Sequence, residues 1–314
     1  MYIFMFNFAT FFAKIMEDTV KKNSPKAWLL AARPKTLTGA AVPVMIGLSL
    51  AYADLRTCGT FAWLPAMLCM LFAFIMQIDA NFINDYFDYI RGNDDETRLG
   101  PKRACAQGWV SSEAMRLAII LTTTLACFIG LPLIFYGGLE MILIGLVCVV
   151  FCFLYTTSLS YLGMGDVLVI VFFGIVPVCI PYYIETRTVT LLVFVASLAC
   201  GLVIDTLLVV NNYRDIDNDR RAKKMTLCVR MGANLSRYFY LALGIIAFLM
   251  GTIYAVGGHF LAVALPALYV VLHYFAYRKM VRIDHGAELN RVLGDTARNM
   301  FIYGLLVSIG ILLT

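Results

Sequence analysis

Asn81-Phe82-Ile83-Asn84-Asp85-Tyr86-Phe87-Asp88-Tyr89-Ile90-Arg91-Gly92-Asn93-Asp94 decides how this chain is read. It follows directly on an apolar run, residues 64–78. Carboxylates and amides at the end of a membrane helix are costly to place there, so they mark a functional site. Residues three and four apart share a helix face, which puts Asn81, Asn84, Asp85 and Asp88 on one expected polar stripe. Two carboxylates on a stripe repel unless a cation sits between them, and a divalent ion suits that place.

Working outward, Asn211-Asn212-Tyr213-Arg214-Asp215 repeats the pattern of Asn84-Asp85-Tyr86-Phe87-Asp88, and Asp219 follows one helical turn later. Asn211, Asp215 and Asp219 are spaced by four, again one face. Basic residues follow each copy: Arg98, Lys102 and Arg103 after the first, then Arg220, Arg221, Lys223, Lys224 and Arg230 after the second. Carboxylates and amide oxygens beside Lys and Arg suit a diphosphate bridged by Mg²⁺. The oxygens hold the hard cation and the bases neutralise the remaining phosphate charge.

The 314 residues are 61% hydrophobic and 14% charged, with mean hydropathy +0.82. A soluble domain carries about 25% charged residues, so the fold class is an all-α polytopic membrane bundle. The net charge of +5 sets topology and does not point to nucleic acid. Nine apolar spans are expected, at about 37–54, 62–84, 115–135, 139–157, 165–184, 189–210, 237–256, 259–277 and 294–314. With the N-terminus in the cytoplasm, all of the 25 Lys and Arg except Arg56 and Arg187 fall on the inner side. An even number of spans scrambles that bias. Both acidic stripes then end on the cytoplasmic side, each followed by a long charged loop of the kind that forms lids or binding loops, and their spacing suggests two similar four-helix bundles plus one helix. Residues 1–26 read as an N-terminal extension and 27–314 as the membrane domain. Residues 1–16 lack the basic start and small-residue cleavage site of a signal peptide.

Other residues are read more plainly. The nine cysteines form no CxxC pair and most lie in apolar runs, as packing residues do. Arg33-Pro34-Lys35-Thr36 opens the first span, either as an inner-side anchor or as a source of phosphate ligands. Asp166, after Tyr161-Leu162-Gly163-Met164-Gly165, reads as a helix cap. Tyr155, Phe172 and Phe173 read either as lipid-belt packing or, for Tyr155, as a candidate to stabilise a carbocation through its ring face, whereas Tyr182 and Tyr183 read as packing. His259, His273 and His285 lack ligand spacing. Arg298 and Asn299 are weak candidates for supporting groups.

The chain resembles the UbiA superfamily of intramembrane aromatic prenyltransferases from about Trp28 onward. The carrying residues are the NDxxD-type motif Asn84, Asp85 and Asp88, and the DxxxD motif Asp215 and Asp219. Its naphthoate-prenylating branch is similar in Arg33-Pro34-Lys35-Thr36-Leu37, in the Gly92 and Asp94 that follow the first motif, and in Asn211 to Asp215 running on to Lys224-Met225-Thr226-Leu227. Two departures stand out: Gly92 replaces a third acid of the general pattern, with Asp94 as its substitute, and Asp166 stands where many naphthoate enzymes have Glu. The resemblance implies helices around a central cavity in a bacterial cytoplasmic membrane, Mg²⁺, a polyprenyl diphosphate donor and a 1,4-dihydroxy-2-naphthoate acceptor that loses its carboxylate. On that basis Asp85, Asp88, Asp94, Asp215, Asp219, Asn84 and Asn211 are expected around metal, with Asn81 beside them. Arg33, Lys35, Arg91, Lys102, Arg103, Arg214 and Lys224 are expected to clamp diphosphate, and Tyr155 to face substrate. Rival readings are a relative acting on 4-hydroxybenzoate or homogentisate, a CDP-alcohol phosphotransferase and a cation-coupled transporter. The phosphotransferase needs its aspartates close together in sequence, and the transporter needs them mid-span.

Overall fold

A computed structural model of the protein describes residues 20–92 and 98–314. Every regular element among them is helical. Helix α1 (Pro25–Ala32) starts where Ser24 Oγ accepts the Ala27 N–H, with Pro25 in the first turn. It ends at Arg33, and one 3₁₀ turn, Pro34–Thr36, leads into α2 (Leu37–Cys58). Then come α3 (Trp63–Ile90), α4 (Ser112–Gly130) and α5 (Glu140–Leu154), the last continuing into a π-helical turn, Tyr155–Leu159. Helix α6 (Gly165–Thr186) contains a second π-helical stretch, Ile170–Ile175. After it run α7 (Leu191–Arg214), the short α8 (Ile216–Arg221), α9 (Leu227–Met250), α10 (Phe260–Ile283) and α11 (Asn290–Leu312).

Among the described residues, eight helical segments are long and apolar enough to cross a membrane. The ninth expected span is α11. Its first half carries Arg291, Asp295 and Arg298, which takes it below that apolarity. It still packs along α2: Gly304 sits on Val42, and Arg56 donates to the Thr314 carbonyl further along. Helix α3 continues to Ile90, well past the apolar run, and so carries the whole first stripe.

Helix α7 is the axis. It is buried along most of its length and packs against α6, α9, α11 and α2. Small residues let α6 approach it: a Cβ on Gly174 would stand 2.7 Å from the Ser197 carbonyl and 2.7 Å from Gly201 Cα. One core joins α2, α6, α7 and α11, and another joins α1, α3, α4 and the loop before α4. Outward faces of α4 and α5 are apolar and open, with Phe128 67% and Leu143 64% exposed, as a lipid-facing surface requires.

Candidate active site

The ends of α3 and α7 meet one cavity of about 1350 Å³. That exceeds the roughly 300–1,000 Å³ of an ordinary ligand pocket. Its deep walls are apolar, from α2, α5 and α6, and its polar residues gather at the end where the stripes lie. Arg33, Lys35, Asn84, Asp88, Lys102, Arg103, Tyr155, Asn211, Asp215, Asp219 and Lys224 all line it. The two acidic stretches, more than a hundred residues apart, therefore face a common space.

The first stripe divides, which differs from its expected behaviour as one face. Asn84 and Asp88, four apart, turn to the cavity. Asn84 Oδ1 accepts from Thr156 Oγ1 at 2.5 Å, and Asp88 Oδ2 accepts from Arg103 Nη2 at 3.1 Å. Asn81 and Asp85, the other i,i+4 pair, turn away from it. Asn81 Nδ2 donates to the Ala32 carbonyl and to Thr36 Oγ1, both at 2.9 Å, and so ties down the break between α1 and α2. That break holds Arg33 at φ 50°, a left-handed conformation costly for any residue but glycine. Asp85 is fully buried, and its oxygens accept the Ala104 N–H at 2.8 Å and the Cys105 N–H at 2.9 Å, with Arg33 at 3.8 Å. The physical reason for the split is the width of the stripe. Four residues cover enough of the helix for one edge to meet the cavity and the other to meet neighbouring backbone.

Two expected phosphate ligands also point elsewhere. Arg91 donates to the Thr156 and Thr157 carbonyls at 3.1 and 2.8 Å and lies over the Tyr161 ring. It closes the C-terminal end of the π turn, where carbonyls are left over. Arg214 is buried and lies behind the second stripe: it donates to Asp215 at 2.5 and 2.9 Å, to Asn211 at 2.9 Å and to Asn290 at 2.8 Å. It orients two cavity-facing oxygens. Asp94 lies outside the described residues.

The loop from Arg98 to Val110 roofs the polar end. Asp85 holds its middle, Arg103 meets Asp88, and Asn290 of α11 donates to the Leu99 carbonyl at 2.7 Å. Gly100 passes so close to Arg214 that a Cβ would come within 2.8 Å of Nη2. Asn290 and Thr156 carried no signal in the sequence: Thr156 is one of three adjacent hydroxyl residues, Thr156 to Ser158, and Asn290 stands among charged residues, with no motif to single either out.

Asp219 lies outside the membrane-spanning helices. Burial raises its pKa to about 6, against the pull of Lys224, whose Nζ is 3.4 Å away. Its Oδ2 is buried without a hydrogen-bond partner. The donor set is all oxygen, which fits a hard divalent cation. No three His, Cys, Asp or Glu among the described residues gather closely enough to hold a metal themselves. A cation there would draw on the amide oxygens of Asn84 and Asn211 as well, which line the same cavity.

Residues 40–305 match the UbiA prenyltransferase family. The chain belongs to that family. This UbiA member is 35% identical over 226 residues to an Escherichia coli protein named 1,4-dihydroxy-2-naphthoate octaprenyltransferase, covering 68% of this chain and 71% of that one. A Haemophilus influenzae protein of the same name is 30% identical over 306 residues, 92% of this chain and 96% of its own. A solved UbiA homolog from Archaeoglobus fulgidus, bound to GPP and Mg²⁺, shares the UbiA fold with a TM-score of 0.62 at 13% identity, over 90% of this chain and 99% of that one.

Proposed function

We propose that this prenyltransferase uses Mg²⁺ to transfer a polyprenyl group from its diphosphate to 1,4-dihydroxy-2-naphthoate, with loss of the acceptor's carboxylate, giving demethylmenaquinone. One observation carries this reading: the acid-bearing ends of α3 and α7 line a single large apolar cavity together with Arg and Lys. The names of the Escherichia coli and Haemophilus influenzae relatives supply the acceptor.

Asp88 and Asn84 on one side, and Asp215, Asp219 and Asn211 on the other, are the residues to hold metal. Bound there, Mg²⁺ supplies charge stabilisation for the diphosphate oxygens as the allylic bond breaks. Lys35, Lys102, Arg103 and Lys224 neutralise the remaining phosphate charge. Asp85, Asn81, Arg91 and Arg214 position these groups from behind. Tyr155 presents a ring to the allylic cation. The apolar walls exclude the water that would quench it, and the isoprenoid tail, as apolar as lipid, lies among them. The distribution of Lys and Arg among the connections supports a site that opens to the cytoplasmic side of a bacterial cytoplasmic membrane.

A radiolabelled transfer assay in membranes, offering the naphthoate, 4-hydroxybenzoate and homogentisate with and without EDTA, tests this. Naphthoate-specific transfer that EDTA abolishes is the expected result. Transfer to another acceptor moves the protein to a sister branch, and no transfer to any overturns the reading.

A further inference from the structure

The proposed reaction needs a group that takes the proton of the acceptor's ring hydroxyl, and the metal-facing acids are committed elsewhere. The seam between α6 and α7 offers one. Gly174 sits against Ser197 and Gly201, and Gly201 sits against Ile170, whose Cα would be 3.0 Å from a Cβ there. The helices run antiparallel in that register, so one turn nearer the cavity's polar end Asp166 comes opposite Asp205. Asp205 is fully buried, and neither of its oxygens has a hydrogen-bond partner. Asp166 is 7% exposed, and its Oδ1 has none either.

Asp166 opens onto a small polar cleft lined also by Tyr155, Ser160, Asn212, Lys224 and Thr226. Four of these, Tyr155, Ser160, Asn212 and Lys224, line the main cavity as well, so the cleft is its side pocket. Its volume of about 10 Å³ is near that of a single water site. Facing carboxylates in an apolar seam do not both ionise, so a proton can be shared between them.

We infer that Asp166 and Asp205 form a proton-sharing pair that receives the acceptor's hydroxyl proton through one water in the side cleft. The inference rests on the proposed aromatic acceptor. In the step, the ring O–H bond breaks and its proton passes by the water to the pair. Its electrons enter the ring, and a ring carbon bonds to the allylic carbon as the C–O bond to diphosphate breaks, pyrophosphate leaving with that electron pair. The ring is left as a ketone. Departure of carbon dioxide returns electrons to the ring oxygen, which takes the proton back from the pair. The titratable groups around it are Tyr155 from the π turn, Asp219 from α8, Lys224 from the loop before α9, and Cys228 from α9.

Asp166→Asn and Asp205→Asn keep size and remove the proton site. General-base loss costs about 10²–10⁴-fold in rate. Asp166→Asn is expected to lose that much near pH 7, to recover tenfold per unit as pH rises, and to be rescued by an acceptor analogue with a more acidic hydroxyl. Asp166→Glu restores the wild-type profile, and Asp205→Asn shows the same trend more weakly. Wild-type turnover by Asp166→Asn, or a loss equal at every pH and with both acceptors, overturns the relay. Failure of the wild-type enzyme to prenylate any hydroxylated ring overturns the functional reading instead.

Discussion

Replacing Asp85 by Asn removes a charge and almost no volume, so its effect reads the roof loop directly. The native carboxylate accepts two backbone N–H groups, at 2.8 and 2.9 Å, with no exposure to solvent. A carboxamide keeps one acceptor and turns its NH₂ on the other N–H. The lost charge-assisted bond is worth about 1.5–3 kcal/mol, and the stranded donor adds about 1–3 kcal/mol. Part of this is relieved if the loop lifts, and lifting moves Lys102 and Arg103 off the cavity. If about 3 kcal/mol reaches diphosphate binding, kcat/KM for the donor falls roughly 100-fold. Steady-state transfer by purified protein, varying donor, acceptor and Mg²⁺ in turn, measures it. The expected pattern is a raised donor KM, an unchanged acceptor KM, and an unchanged Mg²⁺ requirement at saturating donor. Arg103→Ala should reproduce the loss, and the double variant should add little to either. Wild-type donor kinetics would refute the loop argument. A defect confined to the Mg²⁺ requirement would refute it differently, by showing that Asp85 faces metal.

The remaining expectations follow from single sites. Asp88→Ala and Asp215→Ala should abolish product while the protein still inserts and folds, and EDTA should do the same to the wild type until Mg²⁺ is returned; near-normal turnover by either purified variant would remove the metal assignment. Because burial raises Asp219 to about 6, a metal must displace its proton below that pH and need not above it. Apparent Mg²⁺ affinity should therefore drop up to tenfold per unit as pH falls below about 6 and level off above it, by calorimetry, with Asp219→Asn lacking the inflection. Gly174→Ala drives a methyl to 2.7 Å from backbone, at a cost of about 1–3 kcal/mol; its unfolding midpoint in detergent should fall. Gly145→Ala, with nothing within 4 Å of the added methyl, should show no such fall.

The sequence made the membrane bundle legible because its signals are long: apolar runs, inner-side bases and two matching polar stretches. It located both acid-bearing helix ends that line the cavity. What it hid was orientation within a turn. Spacing alone treats Asn81, Asn84, Asp85 and Asp88 as equivalent, and only packing decides that Asp85 meets the amides of Ala104 and Cys105 while Asp88 meets open space. Arg91 read as a phosphate ligand because long cations beside acids usually are, yet the carbonyls left over at the π turn claim it. Single acids inside apolar runs were invisible for the opposite reason. Asp205 hardly changes the hydropathy of its span. Nor does Asp79, which accepts from Thr122 and Thr123 at 2.5 and 2.7 Å across the α3–α4 contact.

The hydrogen bond from Asn290 to Leu99 also has a bearing on biosynthesis. Asn290 begins the last of the described helices, while Leu99 is joined when under a third of these 314 residues have been made. Until that last helix docks, the lid over the anionic end lacks one of its ties, and Arg214 lacks the amide of Asn290 that helps to fix it. A chain in which that helix has not docked thus presents acids and bases that are not yet aimed, and the cavity's polar end is complete only once the helix is in place.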